Sequence, residues 1–221
     1  MTEGFLRDDD VAVRAGSATV MGRLTIPREP RGVVVFAHGS GSSRHSPRNR
    51  YVAEVLQNSG VATLLFDLLT DAEERDRANV FDIDLLATRL ADVTRWLRSA
   101  RDAAGLPVGY FGASTGAAAA LRAAADPELD VFAVVSRGGR PDLAGEALAR
   151  VTAPTLLIVG SRDDVVLDLN RTAAAQIPGE CEVVVVDGAT HLFEEPGTLE
   201  QVAALARRWF SDHLTPIPLQ P

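Results

Sequence analysis

The chain contains no lysine; all 22 of its basic residues are arginine. That excludes a lysine Schiff base and a phosphate-loop lysine. Cys181 is the only cysteine, so an internal disulfide, a cysteine zinc cluster and a redox pair are all ruled out. Its thiol is read as a buried packing residue. No uninterrupted apolar run approaches the roughly 18 residues that a bilayer span needs. The opening residues, MTEGFLRDDDVAVRAG, are acidic and lack the apolar segment of a secretory signal, which points to a cytoplasmic location. A net charge of −8 and a pI near 5.0 argue against nucleic acid or anionic membrane as partners. Internal repeats and interdomain linkers are also missing.

What is present suits one compact domain: 221 residues, 46% of them hydrophobic, can bury a sizeable core. Residues 1–214 read as that domain. The last residues, 215–221 (TPIPLQP), read as a flexible tail because prolines cannot continue a helix. Two β-prone runs within 11–26, separated by Gly16 and Ser17, predict an antiparallel hairpin. Continuous apolar runs follow at 33–39, 61–67, 106–112, 131–137, 153–160 and 182–188, alternating with helix candidates at 48–59, 80–104, 115–125, 168–177 and 197–213. Apolar runs without in/out alternation are expected of parallel strands covered by helices on both faces. The expectation is an α/β fold with about eight mostly parallel strands, doubly wound behind an N-terminal hairpin. Its chemistry should lie beyond the carboxyl ends of the strands.

One such end carries Gly112-Ala113-Ser114-Thr115-Gly116, between the strand PVGYF and an alanine-rich helix. A serine on a strand-to-helix turn with glycines on either side projects its Oγ above the sheet, as a nucleophile elbow requires. The competing reading makes Ser114 an ordinary helix cap. A serine nucleophile needs a base, and the best placed of the four histidines is His191, in the loop GATHLF after the last strand. His45, in a polar loop, is the alternative; His38 reads as structural and His213 as solvated. The imidazole needs an acid to fix its tautomer, and Asp163 in GSRDD is favoured, with Asp164 beside it still open. Oxyanion donors are expected from the backbone N–H of Thr115 and from the loop HGSGSS, where Ser40 is the first choice and Gly41 the second.

With HGSGSS, GASTG, GSRDD and GATHLF in place, the sequence resembles the α/β-hydrolase superfamily over nearly its whole length, and within it the dienelactone hydrolase-like group. The resemblance implies Ser114, Asp163 and His191 as a triad, Ser40 and Thr115 as backbone donors, ester-type hydrolysis and no cofactor or metal. Founding members of that group use cysteine where this chain has Ser114, which shifts the expectation from dienelactone to carboxylic esters generally. Only 15 or so residues separate the strand at 131–137 from the next, so no large cap fits and the site should be open to small or polar esters. Arg44, His45, Arg48 and Arg50 follow the oxyanion loop, and Arg137 and Arg140 follow the strand beside the elbow. Arg44, His45 and Arg137 are therefore candidate contacts for an anionic substrate. The plainer reading pairs these arginines with the acidic stretch 71–77. The functional expectation is a serine esterase or lactonase acting on a small molecule as monomer or homodimer. A thioesterase or acyltransferase using the same residues, and a non-catalytic binding module on the same fold, are the alternatives.

Overall fold

The computed structural model describes residues 4–214, so the tail expected over 215–221 lies outside the described residues. Strands β1 (Phe5–Ala15) and β2 (Ala18–Pro27) form the predicted hairpin, closed at Gly16 with Ala15 opposite Ala18. β1 starts well before the apolar run that announced it. Its acidic stretch is held across the ladder, where Arg23 Nη2 meets Asp8 Oδ2 at 2.9 Å and Thr25 Oγ1 donates to Asp8 Oδ1 at 3.0 Å. Strand pairing of this kind is set by cross-strand partners, which a local reading of hydrophobicity does not register.

Six further strands follow: β3 (Val33–Ala37), β4 (Ala62–Phe66), β5 (Val108–Ala113), β6 (Val131–Arg137), β7 (Thr155–Gly160) and β8 (Cys181–Val186). Their spatial order is β1-β2-β4-β3-β5-β6-β7-β8, in which β2 meets β4 antiparallel and every later pairing is parallel. Alternate residues face opposite layers. Val33, Val35, Ala37 and Tyr110 join the core under α4 (Ile83–Ser99) and α5 (Thr115–Ala124), whereas Val34, Phe36 and Phe111 join the one under α1 (Pro47–Gln57) and α7 (Thr198–His213). Cys181 opens β8 half-buried, not buried as the sequence suggested, and burial still pushes its thiol up to about 11.

Several helical boundaries depart from the pattern. α4 runs over Ile83–Ser99 where 80–104 is expected, its start fixed by Asp82, whose side chain accepts the Leu85 N–H. α6 (Asp164–Ala174) begins four residues early because Val166 and Leu167 pack on Val159, which outweighs the weak helix preference of valine. The acidic stretch after β4 forms two short helices, α2 (Asp71–Glu74) and α3 (Arg77–Val80), the first closed by a reciprocal Thr70–Glu73 capping box. Residues Pro141–Arg150 form 3₁₀ turns broken at Gly145 (φ 56°), and no cap rises between β6 and β7.

Two close fits place the loops above the sheet. A methyl at Gly112 would run into Ala117 of α5, and one at Gly116 would run into the carbonyls of Ala37 and His38 at the end of β3, so α5 can approach the sheet only through glycine. The buried His38 ring then ties two loops together: Nδ1 donates to Gly39 O at 3.0 Å and Nε2 accepts the Leu68 N–H at 3.1 Å. The bond at Nε2 requires neutral imidazole, and burial lowers the pKa from the ordinary 6.5 despite the Gly39 carbonyl and nearby Asp67 and Glu74.

Substituting Gly116→Ala is expected to cost about 1–3 kcal/mol in urea unfolding, since the added methyl has no free space. The depressed His38 pKa means that the unfolded chain takes up the proton first. Stability should therefore be full above pH 6.5 and fall as pH drops below it. Urea midpoints measured on either side of that value should differ less in His38→Gln than in the wild type; equal differences would contradict the role given to His38.

Candidate active site

Ser114 stands between β5 and α5 at φ 50° and ψ −122°, a backbone region that non-glycine residues rarely occupy. Although it takes the N-cap position of α5, its side chain makes no capping hydrogen bond. The helix-cap alternative therefore lacks its bond, and no hydrogen bond holds the hydroxyl among the described residues. Main-chain bonds hold the turn: Ser114 N–H donates to Arg137 O at 3.3 Å, and Ser114 O accepts from Ala117 N–H and Arg140 N–H at 3.1 Å each. Gly39 backs the serine so closely that a methyl there would lie 2.9 Å from Ser114 Cβ.

Asp163 follows β7 and His191 follows β8. The structure brings them together, with Asp163 Oδ2 2.6 Å from His191 Nδ1. Asp163 is also the N-cap of α6 but spends no oxygen on capping it, and its side chain is 17% exposed against 37% for His191. A carboxylate sunk beside a half-open imidazole favours the tautomer in which Nδ1 carries the proton and Nε2 is left able to accept one. Asp164, one residue on, is exposed as the first residue of α6.

The end of β6 sets the histidine near the elbow. A methyl on Gly138 would come within 2.9 Å of His191 O and 3.5 Å of His191 Nδ1, and the preceding residue, Arg137, is the one that receives the Ser114 N–H. No hydrogen bond joins the Ser114 and His191 side chains among the described residues. Such bonds are often long before substrate is bound. The other histidines lie elsewhere: His45 is exposed before α1, and His213 on α7 has its ring on Trp209 O at 2.8 Å and Glu180 at 3.2 Å.

A clasp that sequence reading missed holds the His191 loop. Glu195 accepts from Thr190 N–H at 3.1 Å and from Thr190 Oγ1 at 2.7 Å, closing the loop around His191. The Thr190 hydroxyl and N–H together keep the Glu195 carboxyl below its ordinary pKa. Phe193 is buried beneath at φ 55°. The sequence signal was present in the spacing T-H-L-F-E-E, where a threonine five residues before a glutamate can close such a turn.

Beside the loop that follows β3, Thr115 is the first residue of α5, so its N–H belongs to the unpaired donors at a helix start. The Ser40 N–H is already committed: it donates to Thr115 Oγ1 at 2.9 Å. Gly41, the second choice, sits at φ 70° on the same loop. Ser40, Gly41 and Thr115 line a small cleft with Leu68, Leu69 and Val80.

The clustered arginines are mostly engaged, with partners other than the expected acidic stretch. Arg44 Nη1 lies 2.5 Å from Asp67 Oδ2, Arg48 Nη1 lies 3.2 Å from Glu194, and Arg140 forks onto Asp142 with two bonds of 2.8 Å. Arg137 differs. It is buried, its guanidinium meets Asn49 Oδ1 at 3.4 Å, and its Nε and Nη1 have no hydrogen-bond partner among the described residues. Burial, with the charge of Arg48 adding to it, pushes that guanidinium down to about 10. No cluster of three or more His, Cys, Asp or Glu side chains is arranged to hold a metal among the described residues, and no described helix is long and apolar enough to cross a membrane.

Comparison with known proteins fits this geometry. A model of the alpha/beta hydrolase domain matches residues 30–206. Two Mycobacterium tuberculosis proteins, provisionally named phosphoribosyl transferases, are 72% identical over 209 residues, which is 95% of this chain and 47% of theirs. The chain thus spans about half the length of these curated relatives. A crystal structure of dienelactone hydrolase from Anabaena variabilis is 54% identical and superposes with a TM-score of 0.91 over 95% of this chain and 99% of its own. Est1E from Butyrivibrio proteoclasticus, at 16% identity and a TM-score of 0.78 over 96% and 99% of the two chains, shares the fold. With the family model covering most of its length and a dienelactone hydrolase matched from end to end, the chain belongs to the α/β-hydrolase family, in its dienelactone hydrolase-like group.

Proposed function

We propose that the protein is a serine hydrolase that cleaves a carboxylic ester or lactone of a small or polar substrate through an acyl-enzyme. One observation carries this reading: a serine in a strained, uncapped turn whose neighbouring strand end also seats a histidine bonded to a carboxylate at 2.6 Å. Ser114 Oγ attacks the acyl carbon while His191 Nε2 takes its proton, and Asp163 holds the imidazolium that forms. The tetrahedral oxyanion faces the start of α5, where the Thr115 N–H and the positive end of the helix dipole lie, with the Ser40 loop beside it. Collapse expels the alcohol, protonated by His191. Water then attacks the acyl-enzyme by the same route in reverse.

The short 3₁₀ connection between β6 and β7 leaves the site without a cap, which favours small or polar acyl groups over long lipid chains. Lactone hydrolysis gains support from the name of the Anabaena variabilis structure. The transferase name of the Mycobacterium tuberculosis proteins belongs to chains of about twice this length, and on our reading that activity resides in the part outside the matched span.

A fluorophosphonate probe should label the folded protein, and Ser114→Ala should abolish the label; equal labelling of both would remove Ser114 from its role. Asp163→Asn should lower kcat for a short-chain ester by about 10⁴-fold. Asp164→Asn should leave it within a few-fold. The opposite ranking would assign the acid to Asp164.

A further inference from the structure

The Ser40 N–H, expected to face the oxyanion directly, points instead at a side chain. It donates to Thr115 Oγ1 at 2.9 Å, and the loop that carries it has little freedom to turn away. Gly39 is packed on Ser114, Ser42 N–H closes the turn onto Gly39 O at 3.2 Å, and His38 pins the start of the loop to Leu68 at 3.1 Å. Thr115 is itself only 5% exposed. Its oxygen accepts from Ser40, while its own hydroxyl proton has no acceptor among the described residues. A buried hydroxyl donor without a partner costs about 1–3 kcal/mol, a cost that a ligand atom at this spot would relieve. At the first position of α5 the hydroxyl also has no carbonyl of a preceding helical turn to bond to. It lines the cleft shared with Ser40 and Gly41, which has room for roughly one water-sized group.

We propose that the Thr115 hydroxyl is a catalytic oxyanion donor: Ser40 N–H donates to Thr115 Oγ1, and Thr115 Oγ1–H donates to the oxyanion alongside the Thr115 backbone N–H. This rests on the serine hydrolase reading above. The hydroxyl keeps its proton throughout; it supplies a hydrogen bond and forms no covalent bond, while the proton released from Ser114 goes to His191. Accepting the Ser40 bond polarises the Thr115 O–H and makes it a stronger donor as negative charge develops. Ser40 acts through Thr115 and is a positioning residue in this arrangement. The chain then gains a role for a side chain that the elbow pattern leaves unassigned, since that pattern asks only for a backbone N–H after the nucleophile.

Thr115→Val and Thr115→Ser decide the matter because the two arrangements predict opposite signs. If the hydroxyl is the donor, the isosteric Thr115→Val loses about 10²–10³-fold in kcat on a short-chain ester with KM within a few-fold. Thr115→Ser should stay within about tenfold of wild type, and affinity for a boronic acid that mimics the tetrahedral state should fall in Thr115→Val by a factor similar to kcat. If Ser40 N–H is instead the direct donor, Thr115→Val frees it, and kcat and boronate affinity hold or rise; that result overturns the proposal. Thr115→Ala, read the same way, replaces the valine variant should the latter not fold. Wild-type protein that lacks Ser114-dependent turnover would overturn the hydrolase reading itself, and this is seen in the wild-type arm before any Thr115 variant is measured.

Discussion

Ser114 is held at φ 50° and ψ −122° by bonds from its main chain to Arg137, Arg140 and Ala117, and this one conformation organises the surrounding structure. Backbone of this kind costs about 1–3 kcal/mol and persists only where neighbours over-determine it. Here the neighbours are β6 on one side and the α5 helix on the other. The helix can reach its place because Gly112 and Gly116 offer no Cβ to the backbone of Ala117, Ala37 and His38. Remove either close approach and α5 must lift, carrying the Thr115 N–H away from the end of β3. The same contact that strains the serine therefore also brings Thr115 against the Ser40 loop.

The histidine and the acid come to this point along a different path. β7 and β8 deliver Asp163 and His191 from loops 28 positions apart, and they meet only because those strands are adjacent in the sheet. Gly138 passes beneath the His191 loop, and Glu195 clamps it from within. Among the described residues, only short 3₁₀ turns join β6 to β7, where a cap would rise. The family relationship explains the architecture, and the 54% identity to a dienelactone hydrolase extends along the whole of that protein. The Mycobacterium tuberculosis relatives show that closely similar sequence also occurs within chains of about twice the length.

Much of this was legible in the sequence, for reasons that differ by element. Continuous apolar runs marked all six parallel strands: β3 to β7 are buried along nearly their whole length, which leaves no polar alternation to misread, and β8, half-exposed at the sheet edge, still carries four successive valines. The elbow was legible because its requirements are local: a strand, two glycines and a helix within a dozen residues. Ser, Asp and His in that chain order, each after a strand, gave the candidate triad, and the structure joins Asp163 to His191 while placing Asp164 outside. What escaped depends on partners far apart in the chain. The acidic start of β1 fell outside the β-prone runs read within 11–26, and Arg23 and Thr25 hold it across the hairpin. Arg44, read as a candidate for substrate, has its charge met by Asp67, 23 positions away. The Ser40 N–H likewise meets the Thr115 hydroxyl across 75 positions, and no spacing rule anticipates that bond.

The central claim is that chemistry passes through a covalent bond to Ser114. Mixing the wild-type protein with excess p-nitrophenyl acetate, quenching in acid within the first turnovers and mapping the digest by mass spectrometry tests it most directly. The account predicts an acetyl group on the peptide that carries Ser114, formed at the rate of the initial p-nitrophenol burst and lost as the substrate is exhausted. Sustained hydrolysis with Ser114 unmodified, or with the acetyl group on another residue, would contradict it.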